Sequence, residues 1–510
     1  MNSVLDEVFE EVEPAPDLVS VAAGTTPATL LSIDVGTSGV RAALFDEDGS
    51  EIPDARVVNR RRDSGSDFAE LDPEQLVAEV VKTIDELLTY HVHQVAQIDF
   101  IAISTFWHSL IGVDRAGNPT TSLLTWADTR AAESARELRS EFNESEIHLR
   151  TGCRFHPSYW PAKLRWLKRE QREMFSKTQR WLGFAEYLCQ RLCGEPSTSI
   201  SMASATGLFN QQECDWDWAF VDALGFSPDT LPAIQTQENR LTREFADRWP
   251  ALAEARLVTI VGDGAANNVG AGCTTKDRIA LMVGTSGAMR VVYSGEPPAE
   301  LAAGLWSYRV SRHRVVVGGA LSDGGGLFKW LNESLRLPDL TTLERAIDEL
   351  EPDGHGLTLL PFWSGERSTG WLAQASGGIF GLQQHTKPAE IARAALEAMA
   401  YRFALITRSL DQVAPDATIV ASGNALRSSP AWLQIMADVL GRRLILGGSG
   451  EASSRGAALL ALEAVGKIAT IDEDQLAVDE VFEPNASRHA RYQQAIARQE
   501  ELYERVFKEK

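Results

Sequence analysis

Two aspartates, Asp34 and Asp263, each end a short apolar run and lead into small residues. Asp34 closes the run Leu30, Leu31, Ile33, after which Val35-Gly36-Thr37-Ser38-Gly39 turns the chain into a second β-prone stretch at 40–45. Such a hairpin tip suits a phosphate: glycines let the backbone approach, the Thr37 and Ser38 hydroxyls donate, and Asp34 is placed to hold a metal ion through water. Asp263 follows the β-prone run 257–261 and stands between Gly262 and Gly264, with Ala265, Ala266, Gly270, Ala271 and Gly272 behind it. A carboxylate fixed in tight backbone at a strand end is a candidate general base; its structural alternative is a helix N-cap.

The pentapeptide VGTSG recurs at 283–287, about twenty residues beyond Asp263, again after an apolar run and before a β-prone one. One copy in each half of the chain suggests two related domains, each with a phosphate-gripping hairpin, which together would clamp a nucleoside triphosphate. A pair of ordinary hairpin turns is the alternative. Gly36, Thr37, Ser38, Arg41, Gly284, Thr285 and Ser286 are therefore candidate phosphate contacts.

Between the two tips lie residues suited to a polyhydroxylated ligand. A strand at 98–104 delivers Trp107 and His108, and Trp126-Ala127-Asp128-Thr129-Arg130 places an aromatic, an acid and a base in five residues. An aromatic face beside paired polar groups suits a sugar; a buried histidine and a surface ion pair are the structural alternatives. The irregular stretch 151–166, TGCRFHPSYWPAKLRW, gathers Arg154, His156, Ser158, Tyr159 and Lys163 in an otherwise acidic chain and suggests a wall for something anionic. Trp216 and Trp218 read as packing residues, and Leu164, Trp166 and Leu167 as the start of a buried helix.

The elements that must hold these groups alternate between strand and helix. Asp72-Pro73 starts a helix with Leu76, Val80, Ile84 and Leu87 on one face. In the second half a strand at 314–317 runs into Gly318-Gly319, Asp323-Gly324-Gly325-Gly326 opens a helix, and residues 359–367 form a loop. A long helix spans about 388–413. A short strand at 418–421 leads to Ser422-Gly423-Asn424, where a glycine turn could accept a flat adenine ring, and Ser429-Pro430 caps a helix closed by Gly441. Residues after Gly466 read as a peripheral helical tail.

At 510 residues, 44% hydrophobic and 24% charged, the chain has the balance of a globular enzyme with room for two or three domains. The net charge of −22 argues against nucleic acid. Five cysteines with no CxxC pair argue against a disulfide framework or zinc site and fit a reducing, cytoplasmic compartment. No apolar run approaches 18 residues, so no membrane partner is expected. Residues 1–26, acidic and with two prolines, read as a flexible tail dispensable for catalysis.

In this order the motifs resemble the FGGY carbohydrate kinase family over residues 30 to about 466. The resemblance implies an α/β fold of two actin-like (ribonuclease H-like) ATPase domains with a cleft between them. Residues 27–272 would form the N-terminal domain with the sugar site, and 273–510 the C-terminal domain with the nucleotide site and a peripheral tail from about 467. It implies ATP and Mg²⁺, with Asp34 near the metal and Asp263 as catalytic base. Gly319, Gly423, Asn424 and Arg427 would join the nucleotide contacts, and Trp107, His108, Trp126, Asp128, Arg154, Ser158 and Asp263 would touch the sugar. Within the family, WHS at 107–109, TWADTR, SMASATGLF and VGTSGAMR look most like gluconokinases, although Trp107 stands where most relatives have Met. Gluconate is then the expected acceptor, xylulose or another pentulose the alternative, and a homodimer the candidate assembly. An actin-like ATPase switch and a catalytically silent binding protein are the readings from other classes.

Overall fold

Leu30, Leu31, Ile33 and Val35 are all buried, and so are Ser32 and Asp34, so the first strand is covered on both faces, one apolar and the other carrying two buried polar groups. The computed structural model describes residues 28–61, 69–91, 97–234, 238–448, 451–473 and 478–508; the tail expected at 1–26 lies outside them. Numbering only the strands of the larger sheets, the first contains β1 (Leu30–Gly36), β2 (Gly39–Phe45), β3 (Glu51–Arg60), β4 (Phe100–Thr105), β5 (Asn239–Arg240) and β6 (Arg256–Gly262), in the order β5-β6-β4-β1-β2-β3. The second contains β7 (Arg278–Val283), β8 (Gly287–Ser294), β9 (Trp306–Ser311), β10 (Arg314–Leu321), β11 (Thr418–Ser422), β12 (Leu444–Gly447) and β13 (Val478–Phe482), in the order β9-β10-β8-β7-β11-β12-β13.

The two sheets repeat one plan. Three antiparallel strands (β3-β2-β1; β10-β8-β7) continue into two parallel ones (β4, β6; β11, β12), a short antiparallel strand closes that edge, and the second sheet adds β9 antiparallel outside β10. Parallel neighbours need crossovers, and helices supply them: α1 (Pro73–Tyr90) precedes β4, capped by the Asp72 carboxylate as its Asp-Pro start predicts.

The long connection from β4 to β6 carries α2 (Trp160–Glu170) and α3 (Ile200–Ser204) and builds a core of its own, centred on Trp160, Trp181, Trp216, Phe155 and Phe220. Leu164 and Leu167 are buried there as expected, whereas Trp218 is 40% exposed and donates its indole N–H to Asp215. β6 then feeds α4 (Asp263–Gly270).

The second sheet is covered by α5 (Gly325–Ser334), α6 (Pro388–Leu410), α7 (Asn424–Arg427) and α8 (Pro430–Leu440). α5 begins two residues after Asp323, whose oxygens accept from the Ser364 amide and hydroxyl. α9 (Ala452–Ala464) comes late in the chain yet packs its Ala457, Leu459, Leu460 and Leu462 into the first core. It meets α4 backbone to backbone: a β-carbon on Gly270 would overlap the Ala452 carbonyl, and one on Gly456 the Ala266 carbonyl.

Identical pentapeptides give different turns. In the first hairpin Gly36 pairs with Gly39, leaving Thr37-Ser38 as a two-residue tip. In the second Val283 pairs with Gly287, leaving Gly284-Thr285-Ser286. Gly39, at φ 154°, lies where any side chain would strike Asn59 of β3, while Gly287 lies under the Phe403 ring.

Candidate active site

Asp34 and Ser104 are cross-strand neighbours on β1 and β4, and Ser104 is in register with Val261 of β6. The carboxyl ends of three parallel strands thus bring Asp34 and Asp263 to one edge of the sheet, the usual place for ligands in such folds. Asp34 is buried and accepts from the Ser104 hydroxyl and, at 3.2 Å, from Arg41 Nη1. Burial raises its pKa, opposed by Arg41 and Ser104. Arg41 also reaches Glu451 at 3.2 Å.

Asp263 is the first residue of α4, with Gly262 as the cap residue, and its Oδ1 accepts from the Gly264 amide at 2.7 Å. Its pKa is pushed up to about 6 by burial, with Arg290 opposing and Asp34 adding to the rise. A carboxylate poised near neutrality can take a proton from a hydroxyl. Trp107 positions it. The indole lies so close to Gly262 and Gly264 that a β-carbon on either would overlap it, and its Nε1 donates to Ser201 O at 3.1 Å. Ser201 Oγ in turn accepts from the Gly262 amide at 3.2 Å, so α3 ties both ends of this contact.

Beside Trp107, His108 adopts a left-handed φ of 68° and its Nδ1 is 2.7 Å from Ala205 O. Burial pushes its pKa down to about 3, so it is a neutral imidazole. The rings of Tyr159 and Tyr308 lie 5.0 and 5.7 Å from it, and their hydroxyls bond to each other at 2.6 Å across the two halves of the chain. Trp126 is partly exposed and carries the Arg367 guanidinium 4.8 Å above its ring, while Ser158 Oγ donates to Trp126 O at 2.8 Å. These groups form an aromatic wall with hydroxyls and imidazole at its edges, suited to a sugar.

Three expected sugar contacts are committed elsewhere. Arg154 pairs with Glu144 at 2.5 Å. Asp128 is buried and holds Arg130 through both oxygens, at 3.0 Å from Oδ1 to Nε and 2.7 Å from Oδ2 to Nη2. Ser158 is buried under His156 and the Trp126 carbonyl. Lys163, fully buried, gives its ammonium to the carbonyls of His108 at 2.7 Å and Thr125 at 2.8 Å, and burial lowers its pKa to about 7. These residues brace the wall. What local reading missed is Arg290 and Arg367, which sit in quoted motifs but whose facing partners come from distant segments.

The first tip is anchored by Arg61, whose amide donates to Ser38 O at 2.8 Å and whose Nη1 donates to Thr37 O at 2.7 Å. The second is anchored by α5: the Gly325 and Gly326 amides donate to Gly284 O and Thr285 O at 2.8 and 3.0 Å. Gly423, at φ 93°, abuts the Val283 carbonyl, where no side chain fits, and leaves Asn424 exposed beside the second tip. Two candidates fall outside this group. Gly319 is buried in β10 under Ile406 of α6, and Arg427 ties Asp479 at 2.8 Å and the Gly447 carbonyl. A carboxylate and histidine cluster at Asp353, His355 and Glu397 lies apart from the cleft and is consumed by Arg393, Arg498 and the Tyr401 and Tyr492 hydroxyls.

The family model described as the FGGY family of carbohydrate kinases, N-terminal domain, matches residues 29–270, and its C-terminal counterpart matches 279–465. The chain belongs to the FGGY family of carbohydrate kinases. It is 30% identical to a gluconokinase of Bacillus subtilis (strain 168) over 461 residues, 87% of this chain and 89% of that one. In three dimensions the kinase resembles a gluconate kinase from Lactobacillus acidophilus with a TM-score of 0.85 and 26% identity, covering 94% and 98% of the two chains. A ligand-bound xylulose kinase from the same organism matches with the same TM-score, identity and coverage. The two-domain α/β architecture is thus that of FGGY kinases, consistent with the actin-like ATPase fold. Kinases of this family use ATP.

Proposed function

We propose that this carbohydrate kinase transfers the γ-phosphoryl group of ATP to gluconate, giving 6-phosphogluconate. The observation that carries the reading is Asp263, buried with its pKa pushed up to about 6, at the strand ends that also carry Asp34, with Trp107 of the aromatic wall packed against its flanking glycines. The 30% identity to a gluconokinase favours a sugar acid as acceptor.

Asp263 accepts the proton of the attacking hydroxyl, Trp107 fixes its direction, and His108, neutral, exchanges hydrogen bonds with sugar hydroxyls. The amides and hydroxyls of Gly36, Thr37 and Ser38, and of Gly284, Thr285 and Ser286, take the phosphate oxygens, with Arg41 adding charge and Gly423 and Asn424 bordering the adenosine. Asp34, whose oxygens keep a lone pair each beyond those used by Ser104 and Arg41, would hold a magnesium ion through water. Such an ion would supply neutralisation of the phosphate charge. We place the division into sugar-binding and nucleotide-binding domains between 272 and 273, with α9 packing back onto the first, and closure of the two excludes water that would compete as acceptor. The protein works in the cytoplasm, in keeping with five free thiols, and among the described residues no helix is long and apolar enough to cross a membrane.

The second reading, a pentulose kinase, draws on the equal structural match to a xylulose kinase. A coupled ADP-release assay with gluconate, glucose, xylulose and ribulose separates the two: the highest kcat/KM belongs to gluconate in the first and to a ketose in the second. Turnover of ATP unaffected by any sugar would overturn both.

A further inference from the structure

One loop of the second half, residues 361–372, reaches across to the aromatic wall of the first. Arg367 lays its guanidinium 4.8 Å above the Trp126 ring, and the Trp371 ring lies 5.5 Å from His156 and 6.2 Å from Tyr159. The Trp371 carbonyl accepts from Arg139 at 3.0 Å, so backbone as well as side chains cross here. Trp371 holds a left-handed φ of 58°, which an aromatic residue keeps only where its surroundings fix it.

Bonds on two sides hold this loop. On one side the Ser364 amide and hydroxyl donate to Asp323, the Ser368 amide to Ala320 O at 2.9 Å, and Arg367 Nη2 to Leu321 O at 2.8 Å. On the other, a cavity of about 200 Å³ lies between the loop and α6, lined by Phe362, Glu366, Arg367, Ser368, Met399 and Arg402, so packing alone does not set the loop's height. The tie on that side runs through the buried Glu366 carboxylate. Its Oε1 accepts from Arg402 Nη2 of α6 and, at 3.1 Å, from the Gly370 amide; its Oε2 accepts at 2.6 Å from the hydroxyl of Tyr503. Tyr503 belongs to α10 (Ala486–Phe507), the last helix of the chain.

The surroundings of that hydroxyl commit it to the loop. Burial and then the Glu366 charge raise the Tyr503 pKa above the ordinary phenol value, so it stays a donor. The Arg402 guanidinium lies 5.1 Å from both the Phe362 and Tyr503 rings, which keeps the cation beside the carboxylate. A β-carbon on Gly370 would overlap the Tyr503 hydroxyl and the Glu366 carboxylate, so the chain closes directly over this bond one residue before Trp371. Any shift of the carboxylate moves that backbone, with Arg367 on one flank and Trp371 on the other. We propose that Tyr503 is a positioning residue for the sugar site, holding through Glu366 the loop that lays Arg367 and Trp371 on the aromatic wall. The role rests on the reading of that wall as the sugar site and is the same for whichever sugar is the acceptor.

The test compares Tyr503→Phe with Tyr492→Phe in the full chain, using whichever of gluconate, glucose, xylulose and ribulose gives the wild type its highest kcat/KM. Each substitution removes one buried hydroxyl from α10, but that of Tyr492 bonds Glu397 at 2.9 Å and Arg393 at 3.1 Å, both on α6. Both variants are expected to melt earlier than the wild type. Only Tyr503→Phe should raise KM for the sugar, by about 3- to 10-fold, the scale of one hydrogen bond, with KM for ATP unchanged within about twofold. A merely structural role would leave the sugar KM alone well below the melting temperature. Glu366→Gln disturbs the same tie from the loop side, should raise the same constant, and carries the comparison if Tyr503→Phe fails to fold by circular dichroism. An unchanged sugar KM in Tyr503→Phe, an equal rise in KM for ATP, or the same sugar effect in Tyr492→Phe overturns the role while leaving the kinase reading intact. If the wild type phosphorylates none of the four sugars, the reading of the wall falls and this role falls with it.

Discussion

Asp263 and Arg154 make opposite predictions for a single substitution. Asp263→Asn keeps the side-chain shape and removes its basicity, so kcat is expected to fall by about 10² or more while sugar binding persists in calorimetry. Near wild-type turnover would remove Asp263 from the role of base. Because burial holds its pKa near 6, the carboxylate is unprotonated above that value and protonated below it. The kcat/KM for the sugar should therefore decline as pH drops through about 6, and the Asn variant should lose that acid limb from its pH profile. Arg154→Met disturbs a brace between Arg154 and Glu144 rather than a ligand contact. It should lower use of gluconate and of a neutral sugar by the same factor, and a selective loss for gluconate would return Arg154 to the pocket.

At the scale of elements, the two hairpins carry the same five residues in different turns, one anchored by Arg61 and the other by the amides opening α5. If nucleotide bridges both, Thr37→Val and Thr285→Val should each raise KM for ATP, read from initial rates at saturating sugar. Impairment of only one variant would refute the two-sided clamp. The second tip depends on tight packing as well: a β-carbon on Gly324 would overlap the Ser286 carbonyl, which explains a run of glycines where a helix starts. The repeated pentapeptide, apolar strands and Asp-Pro helix start were legible from local sequence because they are backbone requirements: small residues for turns, alternation or full burial for strands, a cap followed by proline for a helix. The change of tip length was not legible, because the two pentapeptides are identical and differ only in what other elements pack against them, Asn59 beside Gly39 and Phe403 over Gly287.

For the whole molecule, α9 links the end of the chain to its first core. Gly456→Val should push α9 away from Ala266 of α4, an overpacking that costs about 1–3 kcal/mol or more. Calorimetry should show a melting temperature several degrees lower, and because α4 begins with Asp263, kcat should drop as well. Unchanged stability and rate would mean that the crossing of α4 and α9 yields freely. The two halves also meet through the sugar wall: Tyr159 bonds Tyr308, and Arg139 donates to the Trp371 carbonyl at 3.0 Å from 232 residues away. By contrast, removal of residues 1–26, whose composition offers little to bury, is expected to leave kcat and melting temperature unchanged.

The order of the motifs determined the kinase class and the positions of Asp34, Asp263 and the two tips, since each rests on a few contiguous residues whose backbone geometry is locally dictated. Tertiary structure decided which charges are free. Arg154 and Asp128 carry the right chemistry for a sugar acid, yet Glu144 and Arg130 claim them. Gly319 and Arg427 stand in the right motifs, yet Ile406 covers one and Asp479 holds the other. Arg290 and Arg367 come from separate segments, and only folding leaves their N–H groups buried without acceptors. A long charged side chain pairs with whatever the fold brings within its reach, and that partner is written elsewhere in the chain.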